Sequence, residues 1–511
     1  MVTGQPYIRL IDIWKSFGTV QALAGASLEC YEGEIHIILG ENGAGKTSLM
    51  SVLAGLYQPE RGEVRINDNP VTIRSPRDAL TFGVAMVHQH FEQVQNMKVW
   101  ENVVLGYEDS KYALNSQKSL TAVQKVANEQ KIAVDCNARV DSLAIGQQQK
   151  VEILKLLYRN AKVLILDEPT TFLTPQETDT LFMTLKELAG RGLAVLIITH
   201  KIRDALNIGD RLTVMRAGKI VSTMVRGEAT EDVLVRQLMG DEKASKNMLT
   251  EIPPCADELG NDVLFEVAGL STKGDKDQIA LQDINFKLVK GEIRGIAGIA
   301  GSGQKQLAEA LIGLLALSSG SIFIDGENVT ELPVSGRIDS GICLIPQDRL
   351  KDGTLPNMSL WETFVLGVHR QLFSRMHFSS KQAMDLGNNA IREYEIKARD
   401  VNVKTAYLSG GNIQKVLVAR TALAAAKQAC PVIIAANPTE GLDIRTVSQV
   451  HTQLRNLAKK GAAVLMMSED LDELMGNCHR ISIIYRGGLV AEFNGPKYER
   501  YEIGEAMLGK V

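Results

Sequence analysis

The chain has 511 residues, a formal net charge of −4, and 45% hydrophobic and 23% charged residues. That length allows about three domains of ~150 residues or two larger ones. The absence of a basic run argues against nucleic acid as the main partner, and no apolar run reaches the ~18 residues of a membrane-spanning helix. Met1 to Leu10 lack the apolar core of a signal peptide, so the chain is expected in the cytosol. Cys30, Cys136, Cys255, Cys343, Cys430 and Cys478 are scattered with no C-x-x-C pair, so they read as reduced core residues.

In chain order, Ile8 to Ile13 and Ala22 to Leu28 read as strands. Ile35 to Leu39 is a short apolar run typical of a buried strand, and Leu49, Val52, Leu53 and Leu56 after it recur at helical spacing. Between them lies Gly40-Glu41-Asn42-Gly43-Ala44-Gly45-Lys46-Thr47-Ser48, which fits the phosphate-loop pattern G-x-x-x-x-G-K-S/T. Glycines let the backbone approach an anion, and the following helix N-terminus donates N–H groups to it. Lys46 reaches the β- and γ-phosphates, and the Thr47 hydroxyl takes a Mg²⁺ position.

A helical stretch is expected from about Trp100 to Arg159. Val163 to Leu166 and Ala194 to Ile198 read as parallel strands buried on both faces. The first ends in Asp167-Glu168, carboxylates suited to Mg²⁺ and to general-base work on water, and His200 closes the second. His88 and His90 form an H-x-H with no third ligand placed nearby, so they read as flanks of Gln89 and not as a metal site.

The sequence is two copies of one plan. Gly40 to Lys46 aligns with Gly298 to Gln304, and Gly83 to Gln89 with Gly341 to Gln347. The boundaries expected are 1–242 for the first domain, 243–262 for a polar linker holding Pro253 and Pro254, and 263–511 for the second domain.

The set Phe17, Gly40 to Thr47, Gln89, Leu143 to Lys150, Asp167-Glu168 and His200, in this order and repeated, resembles the ATP-binding cassette of ABC transporters. The resemblance covers essentially the whole chain. It implies an α/β fold: two tandem P-loop cassettes, each with a mixed core sheet, an antiparallel β subdomain and a helical subdomain. It also implies that the cassettes pair head to tail. Each ATP and its Mg²⁺ then lie between the phosphate loop of one cassette and the LSGGQ-type signature of the other.

On that expectation one site is complete. It has Phe17 for adenine, Gly40 to Ser48 for phosphates, Thr47, Gln89 and Asp167 for Mg²⁺, and Glu168, His200 and Lys46 for catalysis. Its opposing signature supplies Ser409, Gly410 and Gly411, and its opposing D-loop supplies Asp443. The other site is degenerate. Asp275 stands at the aromatic position, Gln304 and Lys305 replace Lys and Ser/Thr, Ala436-Asn437 replaces Asp-Glu, and Glu469 replaces His. Its signature has Ala144 and Ile145, its D-loop has Thr174, and only Gln347 is of the expected type.

Tandem cassettes without a membrane span are similar to importer ATPases for simple sugars and nucleosides. A ribosome-acting ATPase is the non-transport alternative, but such proteins join their cassettes by a long basic linker and keep both Asp-Glu pairs. Met86 to Phe91, Val151 to Arg159, Leu173 to Glu177, Ala435 to Thr439 and Ser468 to Glu473 look like the purine-nucleoside branch, with ribose or galactose importers as the alternative. The partners implied are two transmembrane permease subunits and an extracellular or periplasmic solute-binding (lipo)protein. The location implied is peripheral, on the cytoplasmic face of the cell membrane.

Overall fold

Every residue of Ile35–Gly40 (β3), Val163–Asp167 (β7) and Ala194–Thr199 (β8) is buried, as strands covered on both faces must be. The computed structural model describes residues 5–18, 20–41, 43–88, 92–107, 116–143, 145–171, 173–239, 259–274, 279–373 and 378–510. Asn42, Gln89, His90, Ala144, Cys255, Asp275 and most of the 243–262 linker lie outside the described residues. The chain divides into two units, Met1–Leu249 and Thr250–Val511.

In the first unit, Ile8–Phe17 (β1), Val20–Cys30 (β2), Arg61–Ile66 (β4) and Asn69–Val71 (β5) form an antiparallel sheet in the order β2-β1-β4-β5. A six-stranded sheet adds Val84–Val87 (β6), Arg211–Arg216 (β9) and Lys219–Val225 (β10), in the order β10-β9-β3-β8-β7-β6. Its five pairings are parallel except β9 with β10, so the core sheet is mixed. Between the sheets, Leu10, Ile13 and Leu23 meet Leu49 and Leu53 of the helix Lys46–Leu53 and Ile165, Leu196 and Ile198 of the core sheet. Each such buried side chain stabilises by roughly 1.5–3 kcal/mol.

The second unit repeats this plan. Val263–Thr272 (β11), Ile284–Val289 (β12), Leu317–Ile324 (β14) and Glu327–Asn328 (β15) are ordered β12-β11-β14-β15. Ile293–Ala297 (β13), Ile342–Ile345 (β16), Val432–Ala436 (β17), Ala463–Ser468 (β18), Arg480–Tyr485 (β19) and Gly488–Asn494 (β20) are ordered β16-β17-β18-β13-β19-β20. A helical layer has its own small core of Leu360, Phe364, Ala390, Ile396, Val416 and Ala419.

Two expectations change in detail. The first strand does not end at Ile13. Its apolar alternation breaks at Asp12, which has φ 49 and forms a bulge, after which the ladder resumes to Phe17. Gly62 lies opposite; a Cβ there would come within 2.3 Å of the Asp12 carbonyl oxygen. The helical stretch is not continuous either. It comprises Val99–Val104, Ser116–Glu129 and Ile145–Tyr158, and Lys131 at φ 54 ends the second of these.

The two core sheets carry different polar clusters, each anchored on a buried side chain. In the first, His36 Nε2 lies 2.7 Å from Thr213 Oγ1, which bonds Thr223 Oγ1 at 2.8 Å. Burial, helped by the charge of Arg211, pushes the His36 imidazole down to about 3, so it is neutral. In the second, Arg294 donates to Ser482 Oγ at 2.8 Å and to the Glu492 carboxylate.

Candidate functional site

Strand register sets the site. Leu39 pairs with Thr199 and Asp167 with Ile198, so the phosphate loop, Glu168 and His200 all emerge from the carboxyl edge of the core sheet. Gly40 has no room for a side chain: a Cβ would sit 2.7 Å from the Met215 carbonyl oxygen. Gly45, at φ 99, would place one 2.5 Å from that of Ala22. The loop is closed on itself by the Ala44 N–H to Glu41 O bond and pinned to the neighbouring hairpin by the Gly218 N–H to Ala44 O bond, both 3.0 Å.

Lys46 is buried, and its ammonium donates to Gly40 O at 2.7 Å and Glu41 O at 3.1 Å. Burial lowers its pKa, against the charges of Glu168, Asp167 and Glu41. The ammonium is thus held at the rim of the loop by carbonyls that a stronger acceptor can replace. Thr47 Oγ1 donates to Asp167 Oδ2 at 3.1 Å. Burial pushes the Asp167 carboxyl up; the Thr47 bond and the Lys46 and His88 charges oppose this, and the Glu168 charge adds to it.

Glu168 sits at φ 47, a conformation unusual for a residue with a long side chain, and its N–H donates to Ile198 O at 2.9 Å. This bend turns the carboxylate along the sheet edge, where His200 Nδ1 lies 2.9 Å from Oε1. Thr171 Oγ1 lies 3.1 Å from Glu168 O and 3.3 Å from Oε2. Burial raises the Glu168 pKa, but the His200 bond and charge, the Lys46 charge and the Thr171 bond outweigh it, and the net direction is down. The carboxylate is therefore ionised. Phe17 is exposed and meets Tyr57 edge-on at 5.0 Å.

The second unit keeps the backbone and changes the chemistry. Asn437 has φ 43, and its N–H donates to Met467 O at 2.8 Å. Its Oδ1 accepts from the Glu469 N–H at 3.3 Å. Burial, with the nearby Glu440 charge, pushes Glu469 up to about 7. Gln304 is buried and donates to Ile296 O and Ser468 O, both at 3.2 Å. Lys305 points to Glu309 at 3.8 Å, and Ala436 is buried. Gln347 donates to Glu440 Oε2 at 3.0 Å.

The signature of the second unit and both D-loop positions also serve as helix caps, which their spacing did not signal. Ser409 is the N-cap of the helix Gly410–Ala425, with Gly411 in its first turn, and its Oγ accepts from Asn412 Nδ2 at 2.9 Å. Asp443 caps Ile444–Lys459, its Oδ1 accepting from the Thr446 N–H at 2.9 Å. Thr174 caps Pro175–Gly190 in a capping box with Glu177. Ile145 is the first residue of its helix. The first unit thus brings together Lys46, Thr47, Asp167, Glu168 and His200. Sequence reading missed Thr171 and Tyr57, and in the second unit Glu440 and Arg349. No motif marks Thr171, which reads as an ordinary turn residue.

Residues 23–171 and 281–439 each match the ABC transporter family model. The guanosine import ATP-binding protein NupO of Bacillus subtilis strain 168 is 36% identical over 99% of this chain and 98% of its own. The nucleoside import ATP-binding protein NupA of Lactococcus lactis subsp. cremoris MG1363 is 33% identical over 99% of each chain. A ribose import ATP-binding protein, RbsA 2 of Escherichia coli O157:H7, is 32% identical over 99% of this chain and 97% of its own. Among solved structures, one of the archaeal ribosomal stalk protein aP1 with the archaeal ribosome recycling factor aABCE1 contains a chain of the same fold. It aligns at TM-score 0.59 and 18% identity over 94% of this chain and 90% of that one. Among the described residues no helix is long and apolar enough to cross a membrane. The chain belongs to the ABC transporter family and is an ATPase with two ATP-binding cassettes in one polypeptide.

Proposed function

We propose that the chain is the ATP-hydrolysing subunit of an importer for purine-type nucleosides, with one hydrolytic composite site and one degenerate site. The observation that carries the catalytic part is the contrast between Glu168 with His200 and Asn437 with Glu469 on the same backbone bend. On the proposed head-to-tail pairing of the cassettes, the departures gather into one site. Random decay of the second copy would also have removed Ser409 to Gly411 and Asp443.

The residues of the first loop suit MgATP. Thr47 Oγ1 and Asp167 Oδ2 are hard oxygen donors 3.1 Å apart, and the burial that raises the Asp167 pKa is relieved by a nearby cation. Gln89, outside the described residues, completes the proposed Mg²⁺ set. When bound, Mg²⁺ neutralises phosphate charge. Lys46 exchanges its loop carbonyls for phosphate oxygens. Glu168 accepts a proton from the attacking water, and His200 and Thr171 hold its carboxylate in place. The Ser409 oxygen accepts from Asn412, and its hydroxyl proton is directed to the γ-phosphate in this reading.

Kinship to the guanosine and nucleoside import proteins supports the nucleoside reading. Kinship to the ribose import protein favours a second reading, a monosaccharide importer. The solved ribosome-recycling neighbour supports fold alone at 18% identity. Two permease subunits and an extracellular solute-binding protein are the proposed partners, and the cytoplasmic face of the membrane is the proposed location. Vesicles containing this chain and its permeases, supplied with the solute-binding protein and MgATP, test the cargo. Guanosine or adenosine uptake is expected; uptake of ribose or galactose alone selects the sugar reading, and ATPase activity stimulated by ribosomes instead of permeases overturns both.

A further inference from the structure

Arg349 follows β16 and joins three separate segments of the second cassette. Its Nη1 donates to Gly410 O at 3.4 Å, at the start of the signature helix, and its Nη2 donates to Glu440 O, one residue before the D-loop. The Glu440 carboxylate in turn accepts from Gln347, two residues before Arg349. Thr354 Oγ1 donates to Arg349 O at 3.1 Å and fixes the main chain of the arginine. Gln347, Arg349, Gly410 and Glu440 line one wall of a cavity of about 870 Å³.

Glycines stand at both ends of this clamp, where a side chain would make ordinary contact with the guanidinium. A Cβ at Gly410 would lie 3.4 Å from Nη1, and one at Gly441, which has φ 67, would lie 4.0 Å from Nη2. The first cassette differs at the whole set. At the positions aligned with Arg349, Gly410, Glu440 and Gly441 it has Phe91, Ile145, Thr171 and Phe172. The arginine is gone, and both glycines are replaced by large apolar residues. The same copy has lost the signature serine and the D-loop aspartate, at Ala144 and Thr174. The clamp therefore accompanies the signature and D-loop that the composite-site reading assigns to the complete site.

We propose that Arg349 is a positioning residue for ATP hydrolysis on the first cassette's phosphate loop. It fixes the spacing between Ser409–Gly411 and Gly441–Asp443, so that both reach the nucleotide together. This rests on the composite-site reading above. A planar guanidinium fork holds two carbonyls at once, whereas a lysine ammonium on a flexible stem does not reproduce that geometry. Binding of ATP by the Lys46 loop does not depend on the clamp, so the effect falls on kcat and not on nucleotide affinity.

The full-length chain is tested with MgATP as Ser409→Ala, Arg349→Lys, Arg349→Met and Arg349→Ala, measuring kcat and the equilibrium affinity for ATP. Expected are kcat losses of roughly 10- to 100-fold in all four, with unchanged ATP affinity, and partial recovery of Arg349→Ala on adding millimolar guanidinium. If Ser409→Ala loses activity but Arg349→Met or Arg349→Lys turns over at the wild-type rate, the positioning role is overturned and the composite site stands. If Arg349→Met weakens ATP binding with kcat unchanged, the role is likewise overturned. If Ser409→Ala is fully active, the composite-site reading fails and the role of Arg349 with it. Where Arg349→Ala or Arg349→Met is poorly folded, Arg349→Lys, which keeps the charge and the stem, decides.

Discussion

Glu168 and Asn437 adopt the same left-handed backbone, at φ 47 and φ 43, and each donates its N–H to the neighbouring strand, at Ile198 and Met467. The first carries a carboxylate on His200; the second carries an amide that accepts from the Glu469 main chain. The bend is thus a property of the cassette, and the chemistry is a choice of side chain. Glu168→Gln is expected to cut ATPase activity by ~10²–10⁴-fold. Asn437→Ala is expected to leave it within about twofold, the scatter of substitutions remote from reacting groups. Steady-state phosphate release checks both.

Because asparagine tolerates φ > 0 better than glutamate, Glu168→Asn separates chemistry from folding. The variant is expected to be inactive with a melting temperature within ~2–4 °C of wild type, corresponding to about 1 kcal/mol for a domain of this size. A collapse in melting temperature would show that Glu168 holds the fold and not only the reaction.

Lys46 and Gln304 fill the same position in the two loops, and both donate to backbone carbonyls. An amide lacks the charge that exchanges those carbonyls for phosphate. Lys46→Gln is expected to weaken ATP binding by at least ~10-fold, since a charge-assisted bond is worth about 1.5–3 kcal/mol. Gln304→Ala should leave the tighter of any two binding events unchanged. Titration calorimetry with ATP distinguishes them.

Asp443 and Thr174 are both N-caps, so an aspartate-to-threonine exchange conserves the cap. Asp443→Thr is expected to melt with the wild type but to hydrolyse ATP more slowly, whereas Asp443→Ala loses about 1 kcal/mol of cap energy as well. Equal activity of wild type and Asp443→Thr would confine Asp443 to capping.

Glu469 titrates at about 7 because burial and Glu440 disfavour its charge. Its folded pKa lies above the ordinary value of 4.5, so its stabilising contribution is fully present below about 4.5 and is lost as pH rises through 7. Glu469→Gln removes that dependence. Its melting temperature should match the wild type near pH 4.5 and exceed it at pH 8, by ~2–4 °C for each 1 kcal/mol relieved. Identical pH profiles would mean that the carboxyl is solvated.

The strands around the site were legible because β3, β7 and β8 are apolar at nearly every position, and the phosphate loop because its glycines and lysine have fixed spacing. What stayed hidden depends on three-dimensional contact. The bulge at Asp12 interrupts the alternation that marks a strand. Thr171 reaches Glu168 only because the chain turns after β7. Arg349 and Gly410 are far apart in sequence, and nothing in either segment announces the other.

The unlike polar clusters beneath the two core sheets bear on how a chain of two similar repeats avoids folding with strands exchanged between copies, a hazard of tandem domains. His36 is neutral and matched to two threonine hydroxyls, whereas Arg294 is matched to Ser482 and Glu492. If β3 took the place of β13, Glu492 would face a neutral imidazole. If β13 took the place of β3, a guanidinium would enter a pocket built for a neutral imidazole. A buried guanidinium separated from its carboxylate partner is unfavourable, so each strand is keyed to its own half of the chain.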